Sequence, residues 1–174
     1  DSHGKDPLEY LVETANKHQV TILGEVHEKK DYLFFLKKAI PELYHKAGVT
    51  CIAMEVCLAE DNEKINRLVT APEFDRKLAL EIARHQWWGI WGFKEYWDIF
   101  EVVWNLNQKI PNDQNKMRLV GIDIKCDGPS MGLVTGGESA KIKAPIWEKL
   151  RIFRLLNNIL PLLKRDIILP RNQT

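Results

Sequence analysis

Three short, uninterrupted apolar runs constrain the fold of this chain more than any other feature. They lie at residues 20–24, 50–54 and 118–122, and each is about the length of one β-strand. Apolar character without alternation is typical of strands that are buried on both faces of a parallel sheet. Segments with a helical period separate the runs, so the chain is predicted to form an α/β domain with right-handed crossovers.

Four segments between these runs place apolar residues at helical spacing. They are residues 31–47, 60–69, 74–83 and 93–107. Gly48 follows the first segment and predicts its end. In the last segment a stripe of large aromatic side chains is expected to face the core, and its members are Phe93, Trp97, Phe100 and Trp104.

The predicted architecture is a mainly parallel sheet with flanking helices in three layers. Residues 1–174 form a single α/β domain or the amino-terminal part of a larger one. Because three strands are fewer than a usual sheet contains, we expect the domain to be incomplete. After the third run, residues 128–144 are predicted to form a mobile loop. Residues 145–169 are predicted to form a carboxyl-terminal helical segment that Pro161 interrupts.

Composition excludes several classes of protein. The 25 Lys and Arg residues nearly balance the 24 Asp and Glu residues, which argues against a nucleic-acid binder with a basic surface. No apolar run approaches the roughly 18 residues of a membrane span, so no transmembrane helix is predicted. The 3 cysteines are too few, and odd in number, for a disulfide framework. Localisation stays open.

Acidic residues stand where the predicted strands end. Glu25 follows the first run, with His27 two residues later, while Glu55 follows the second run and Asp123 the third. Because parallel strands bring their carboxyl ends to one edge of a sheet, we expect all four side chains to converge on one pocket. Clustered carboxylates beside an imidazole can supply a general base near neutral pH, or a cage for a divalent metal.

These motifs resemble a known superfamily. Residues 21–27 (Thr-Ile-Leu-Gly-Glu-Val-His), a helix, and residues 52–55 (Ile-Ala-Met-Glu) resemble the opening of erythromycin-esterase-like and haem-binding ChaN-like (Tiki) proteins. The Trp-rich helix and residues 119–123 (Leu-Val-Gly-Ile-Asp) resemble the esterase-like branch. That branch implies a hydrolase without a cofactor. Its catalytic residues would be His27 and Glu55, which activate water for ester hydrolysis, with Glu25 from the same motif.

Two features depart from the esterase pattern and keep a second interpretation open. The Gly-Glu-x-His spacing is one residue shorter than in the esterases, and their second histidine has no counterpart after His85. The ChaN-like branch implies instead a protein that binds haem or a divalent metal without turnover. In that interpretation the metal ligands are Glu25, His27 and Glu55. No tyrosine follows Tyr96, so no axial haem ligand is carried over.

Residues 85–92 (His-Gln-Trp-Trp-Gly-Ile-Trp-Gly) either pack in the core or form the aromatic wall of a pocket. In the pocket interpretation Asp123, His85 and Trp88 contact a small-molecule substrate or haem. A rival motif at residues 128–132 (Gly-Pro-Ser-Met-Gly) matches the Gly-x-Ser-x-Gly of a nucleophile elbow. No histidine follows it, and Pro129 restricts the backbone beside the serine, so the mobile loop explains these residues better.

The carboxyl-terminal segment 145–169 is dense in apolar side chains and also rich in basic ones. Large exposed apolar patches are rare on monomers, so this segment needs a partner surface. A homodimer formed through it is the favoured expectation. The missing half of the domain and a membrane surface are the less favoured alternatives, and the basic side chains are compatible with the membrane.

Overall fold

The computed structural model describes residues 4–86, 92–123 and 125 of the chain. Its elements, in order, are α1 (Pro7–Lys17), α2 (Lys30–Ala47), β1 (Cys51–Leu58), a 3₁₀ turn (Ala59–Asp61), α3 (Asn62–Thr70), α4 (Arg76–His85), α5 (Lys94–Asn107), a second 3₁₀ turn (Asp113–Asn115) and β2 (Arg118–Asp123). This mixture of helices with a two-strand parallel sheet is compatible with the predicted α/β class. The predicted loop at 128–144, the helical segment 145–169 and Trp88 lie outside the described residues.

Local sequence signals explain where the first two helices begin and end. Asp6 caps α1, because its carboxylate accepts hydrogen bonds from the backbone N–H groups of Leu8 and Glu9. Pro7 occupies the first turn, where a missing N–H costs nothing. Gly48 ends α2 as predicted, in the left-handed conformation with φ of 66°. The helix α1 has no counterpart among the sequence predictions.

Strands β1 and β2 run parallel and confirm the second and third predicted strands. Cys51 is paired with Arg118 and Leu58 with Asp123, and the register shifts between Met54 and Leu58. Gly121 of β2 lies against the backbone of β1 at Cys57 and Leu58. A Cβ atom there would stand 2.4 Å from the Cys57 carbonyl oxygen, so only glycine fits this position.

The first predicted strand is wrong. Residues 20–24 form no strand, and their large apolar side chains are exposed, with Val20 48%, Ile22 87% and Leu23 50% exposed. An apolar run indicates strand propensity, but a strand forms only where a neighbouring strand satisfies its backbone N–H and C=O groups. Within the described part of the chain, β1 and β2 pair with each other and residues 20–24 join no sheet.

The core lies between the sheet and helices α2 to α5. Its largest fully buried side chains include Phe100, Ile40, Leu58, Ile65, Leu68, Ile82, Ile99, Met117 and Leu119. Helix α1 packs against α2 through a smaller cluster of Leu11, Ala39 and Leu43. None of the helices in the described ranges is long and apolar enough to cross a bilayer.

The aromatic stripe predicted for α5 is only partly right. The side chains buried on this helix are those of Tyr96, Ile99, Phe100, Val103, Leu106 and Asn107. Phe93 is 48% exposed, and Trp97 and Trp104 are half-buried. The Trp104 indole N–H donates to the Ala71 carbonyl oxygen at 2.9 Å, which holds this large ring at the edge of the core.

Three asparagines bond to the edge of β2 that faces away from β1. This asparagine clasp consists of Asn62, Asn66 and Asn107, and it bonds to the backbone of Gly121, Leu119 and Met117, respectively. These are alternate residues because successive backbone groups of a strand point to opposite edges. Side chains on α3 and α5 thus occupy hydrogen-bonding groups that another strand would otherwise use.

Candidate active site

Glu25 and His27 lie on the connection between α1 and α2, and not at the end of a strand as predicted. The His27 Nδ1 atom is 2.9 Å from the Glu25 Oε1 atom. The His27 side chain is 43% exposed and that of Glu25 is 26% exposed. The structure therefore brings two of the predicted site residues into contact at the surface.

This contact determines which nitrogen of His27 is basic. An ionised carboxylate can only accept hydrogen bonds, so the proton between the two groups belongs to His27 Nδ1. In a neutral imidazole, protonation of one nitrogen leaves the lone pair on the other. The Nε2 atom of His27 is therefore the one that can accept a proton from a bound molecule.

Tyr96, in the first turn of α5, is a third member of this group. Its hydroxyl donates to the same Glu25 Oε1 atom at 2.8 Å, and the residue is 3% exposed. Burial and then the hydrogen bond to Glu25 raise the pKa of Tyr96 to about 12, so the phenol remains a donor at neutral pH. Sequence reasoning missed this role. The available signal was a tyrosine on the buried face of a helix, whose hydroxyl needs a partner.

Glu55 does not end its strand, contrary to the prediction. Strand β1 continues to Leu58, and Glu55 is exposed between the buried Met54 and Val56. A glutamate after an apolar run resembles a strand end, but alternate residues of a strand can face solvent without ending it. The approach of Glu55 to His27 stays a prediction.

Asp123 is the last residue of β2, as predicted from the sequence. It is half-buried and is aligned with Leu58 at the carboxyl end of β1. The carboxyl ends of the two parallel strands therefore lie side by side here. Convergence of Asp123 with Glu25 and His27 on one pocket stays a prediction.

His85, the last residue of α4, belongs to a second polar cluster. Its Nδ1 atom is 2.8 Å from Asp61 Oδ2, and its Nε2 atom is 3.4 Å from Glu60 Oε1. Asp61 is only 2% exposed, and Lys64 Nζ lies 3.9 Å from its other carboxylate oxygen. Asp61 precedes α3, where an aspartate usually caps the helix, but its side chain makes no cap hydrogen bond. From the sequence, Asp61 would be expected to cap α3, and nothing in the sequence indicates that it contacts His85.

Cys57, near this second cluster, is completely buried in β1. Burial, and to a smaller extent the charge of Asp61, raise the pKa of its thiol well above the ordinary value. The thiolate is the reactive form of cysteine, so Cys57 is a core residue rather than a nucleophile.

The structure also bears on metal binding. Among the described residues, no group of three or more His, Cys, Asp or Glu side chains is placed to hold a metal ion. Glu25, His27 and Glu55 are among these residues, and their role as metal ligands stays a prediction.

Comparison with known proteins yields no relative of this chain. A scan against protein-family models, a search of curated proteins and a search of solved structures each found no match. The function of the site is therefore inferred from the chemistry of its residues and from the resemblance in its motifs.

Proposed function

We propose that this protein is a hydrolase of the esterase-like type, with His27 as its general base. The observation that carries the proposal is the contact between His27 Nδ1 and Glu25 Oε1 at 2.9 Å. With its Nδ1 proton held by a carboxylate, the imidazole has its basic atom at Nε2 and is half-exposed to solvent. A small-molecule substrate can reach such a side chain.

In this mechanism, His27 Nε2 takes a proton from a water molecule whose oxygen attacks the carbonyl carbon of the ester. The tetrahedral intermediate then breaks its bond to the alkoxide, which takes the proton from Nε2 and leaves as the alcohol. The carboxylate of Glu25 stabilises the imidazolium that forms between these steps. We assign Glu55 to orienting the water or the imidazole, and Asp123 to the polar wall of the pocket.

The experiment measures the hydrolysis of a panel of small carboxylate esters by the full chain. His27→Gln should lower turnover by about 10²–10⁴-fold, the usual contribution of a general base. His18→Gln is the matched control, because His18 is exposed at the end of α1 and should be replaceable without loss. A His27→Gln variant that retains the turnover of the unmodified chain would refute the proposal.

A second candidate function is haem binding without turnover, as the ChaN-like resemblance implies. It is favoured by exposed apolar side chains on the same connection as His27, since Ile22, Leu23 and Val26 are 87%, 50% and 57% exposed. If haem were bound, these apolar side chains would pack against it and the imidazole of His27 would supply a ligand to its iron. A Soret band that grows on titration with haem and is lost in His27→Gln, without ester turnover, would favour this function.

We also propose the finer architecture that the sequence predicts, a three-layer domain that is incomplete. The support is the two-strand sheet of the described residues, which is smaller than a usual sheet. Self-association through residues 145–169 remains part of this proposal. Sedimentation of the full chain should show a dimer, and a monomer at all concentrations tested would contradict this part.

A further inference from the structure

The hydroxyl of Tyr96 is hydrogen-bonded to the residue two positions before His27. It donates to the Glu25 side chain at 2.8 Å, and the backbone of Glu28 is close enough to lower the pKa of the phenol, against the larger effect of burial. One buried side chain on α5 therefore faces both ends of the short segment that carries the imidazole. Glu25 and Tyr96 are 71 residues apart in the chain, so tertiary packing creates this arrangement.

The backbone at this point has a conformation that side chains disfavour. Glu28 has φ of 64°, and it is the only residue other than glycine with a positive φ within the described ranges. The left-handed region brings Cβ too close to the following carbonyl oxygen, so the surrounding contacts must maintain it. Tyr96, whose hydroxyl lies near the Glu28 backbone, belongs to these surroundings.

We propose that Tyr96 is a positioning residue that holds His27 in the Nδ1-protonated form through Glu25. Both hydrogen bonds of the Glu25 carboxylate converge on its Oε1 atom, one from Tyr96 and one from His27. Tyr96 fixes where this oxygen lies, and the oxygen then determines which nitrogen of His27 carries the proton. This role rests on the proposed function, in which Nε2 of His27 is the base. Which nitrogen of His27 is protonated can nevertheless be measured without a substrate.

The experiment is nitrogen NMR of the full chain labelled with ¹⁵N-histidine, at about pH 9, well above the ordinary imidazole pKa of about 6.5. The chemical shifts of the two ring nitrogens report which of them is protonated. The His27 signals are assigned by their loss in His27→Gln. In the unmodified chain we expect His27 to be mainly protonated at Nδ1, and in Tyr96→Phe we expect mainly protonation at Nε2, the form that a free imidazole prefers.

Tyr44→Phe is the matched control for the loss of a tyrosine hydroxyl. The Tyr44 hydroxyl donates to the backbone oxygen of Asn115 at 3.0 Å, so its removal should leave the His27 signals unchanged. Urea unfolding of both variants establishes that each is folded at the pH of the measurement. The proposal is overturned if Tyr96→Phe retains the unmodified His27 pattern, or if the unmodified chain already shows protonation at Nε2.

The two proposals fail separately. If Tyr96→Phe changes the protonated nitrogen while no ester is hydrolysed by any form of the chain, the positioning role holds and the esterase function is wrong. If esters are hydrolysed and the His27 pattern does not depend on Tyr96, the positioning role is wrong.

Discussion

Asn107 is the member of the asparagine clasp whose loss should be most costly to the fold. It is fully buried at the end of α5 and makes three hydrogen bonds to backbone groups. Its Nδ2 donates to the carbonyl oxygens of Val69 and Met117, both at 2.9 Å, and its Oδ1 accepts from the Met117 N–H at 2.7 Å. The substitution Asn107→Ala removes all three of these hydrogen bonds.

The expected loss of unfolding free energy follows from the backbone groups that this substitution leaves without a hydrogen-bond partner. Met117 and Val69 are themselves 0% exposed, so one N–H and two C=O groups lose a hydrogen bond away from water. Each buried group left unsatisfied costs about 1–3 kcal/mol. The higher helix propensity of alanine returns about 0.5 kcal/mol. With each of the three groups at the lower of these values, and with the gain in helix propensity subtracted, we expect the free energy of unfolding to fall by at least about 2.5 kcal/mol. That is a large part of the roughly 5–15 kcal/mol of a typical domain.

Urea unfolding followed by circular dichroism measures this loss. Asn105→Ala is the matched control, because Asn105 is on the same helix but exposed, and we expect it to change the free energy by less than about 0.5 kcal/mol. A difference of under about 1 kcal/mol between the two variants would contradict this prediction. It would mean that water replaces the side chain at this edge, and that the clasp does not stabilise β2.

Three further predictions concern a pair of glycines, Tyr96 and Cys57. Gly121→Ala should destabilise the fold by about 3 kcal/mol, because its Cβ would lie 2.4 Å from a backbone oxygen of β1. Gly48→Ala meets no atom and should cost only about 1 kcal/mol, so equal melting temperatures for the two variants would contradict this. Because the pKa of Tyr96 is raised from 10.0 to about 12, its contribution to stability is complete below about pH 10 and is lost as the pH rises through 12. Unfolding free energy should therefore fall more steeply over this range than in Tyr96→Phe, and parallel curves would exclude the effect. In a chain whose other two cysteines are replaced by serine, buried Cys57 should react with a thiol reagent only at the rate of unfolding, and fast reaction in the folded state would disprove its burial.

The sequence alone determines much of the secondary structure, since that depends on patterns within a few residues. Helix α2 and its end at Gly48 follow from apolar spacing and from a residue that tolerates positive φ. Strands β1 and β2 follow from their apolar runs. Burial agrees with the prediction at residues 119–121, whereas in the run 50–54 only Met54 is buried. The contact between Glu25 and His27 also needs only two residues of separation.

Strand pairing and the long-range hydrogen bonds depend on the tertiary structure, because they require two segments that are distant in the chain to lie next to each other. The run at residues 20–24 has the composition of a strand but joins no sheet among the described residues, and an apolar pattern carries no information about a partner. The pairing of His85 with Asp61 spans 24 residues and that of Tyr96 with Glu25 spans 71. The asparagine clasp likewise joins α3 and α5 to β2. Hydrogen bonds between groups so distant in the chain form only after packing brings their elements together, which is why no local spacing could predict them.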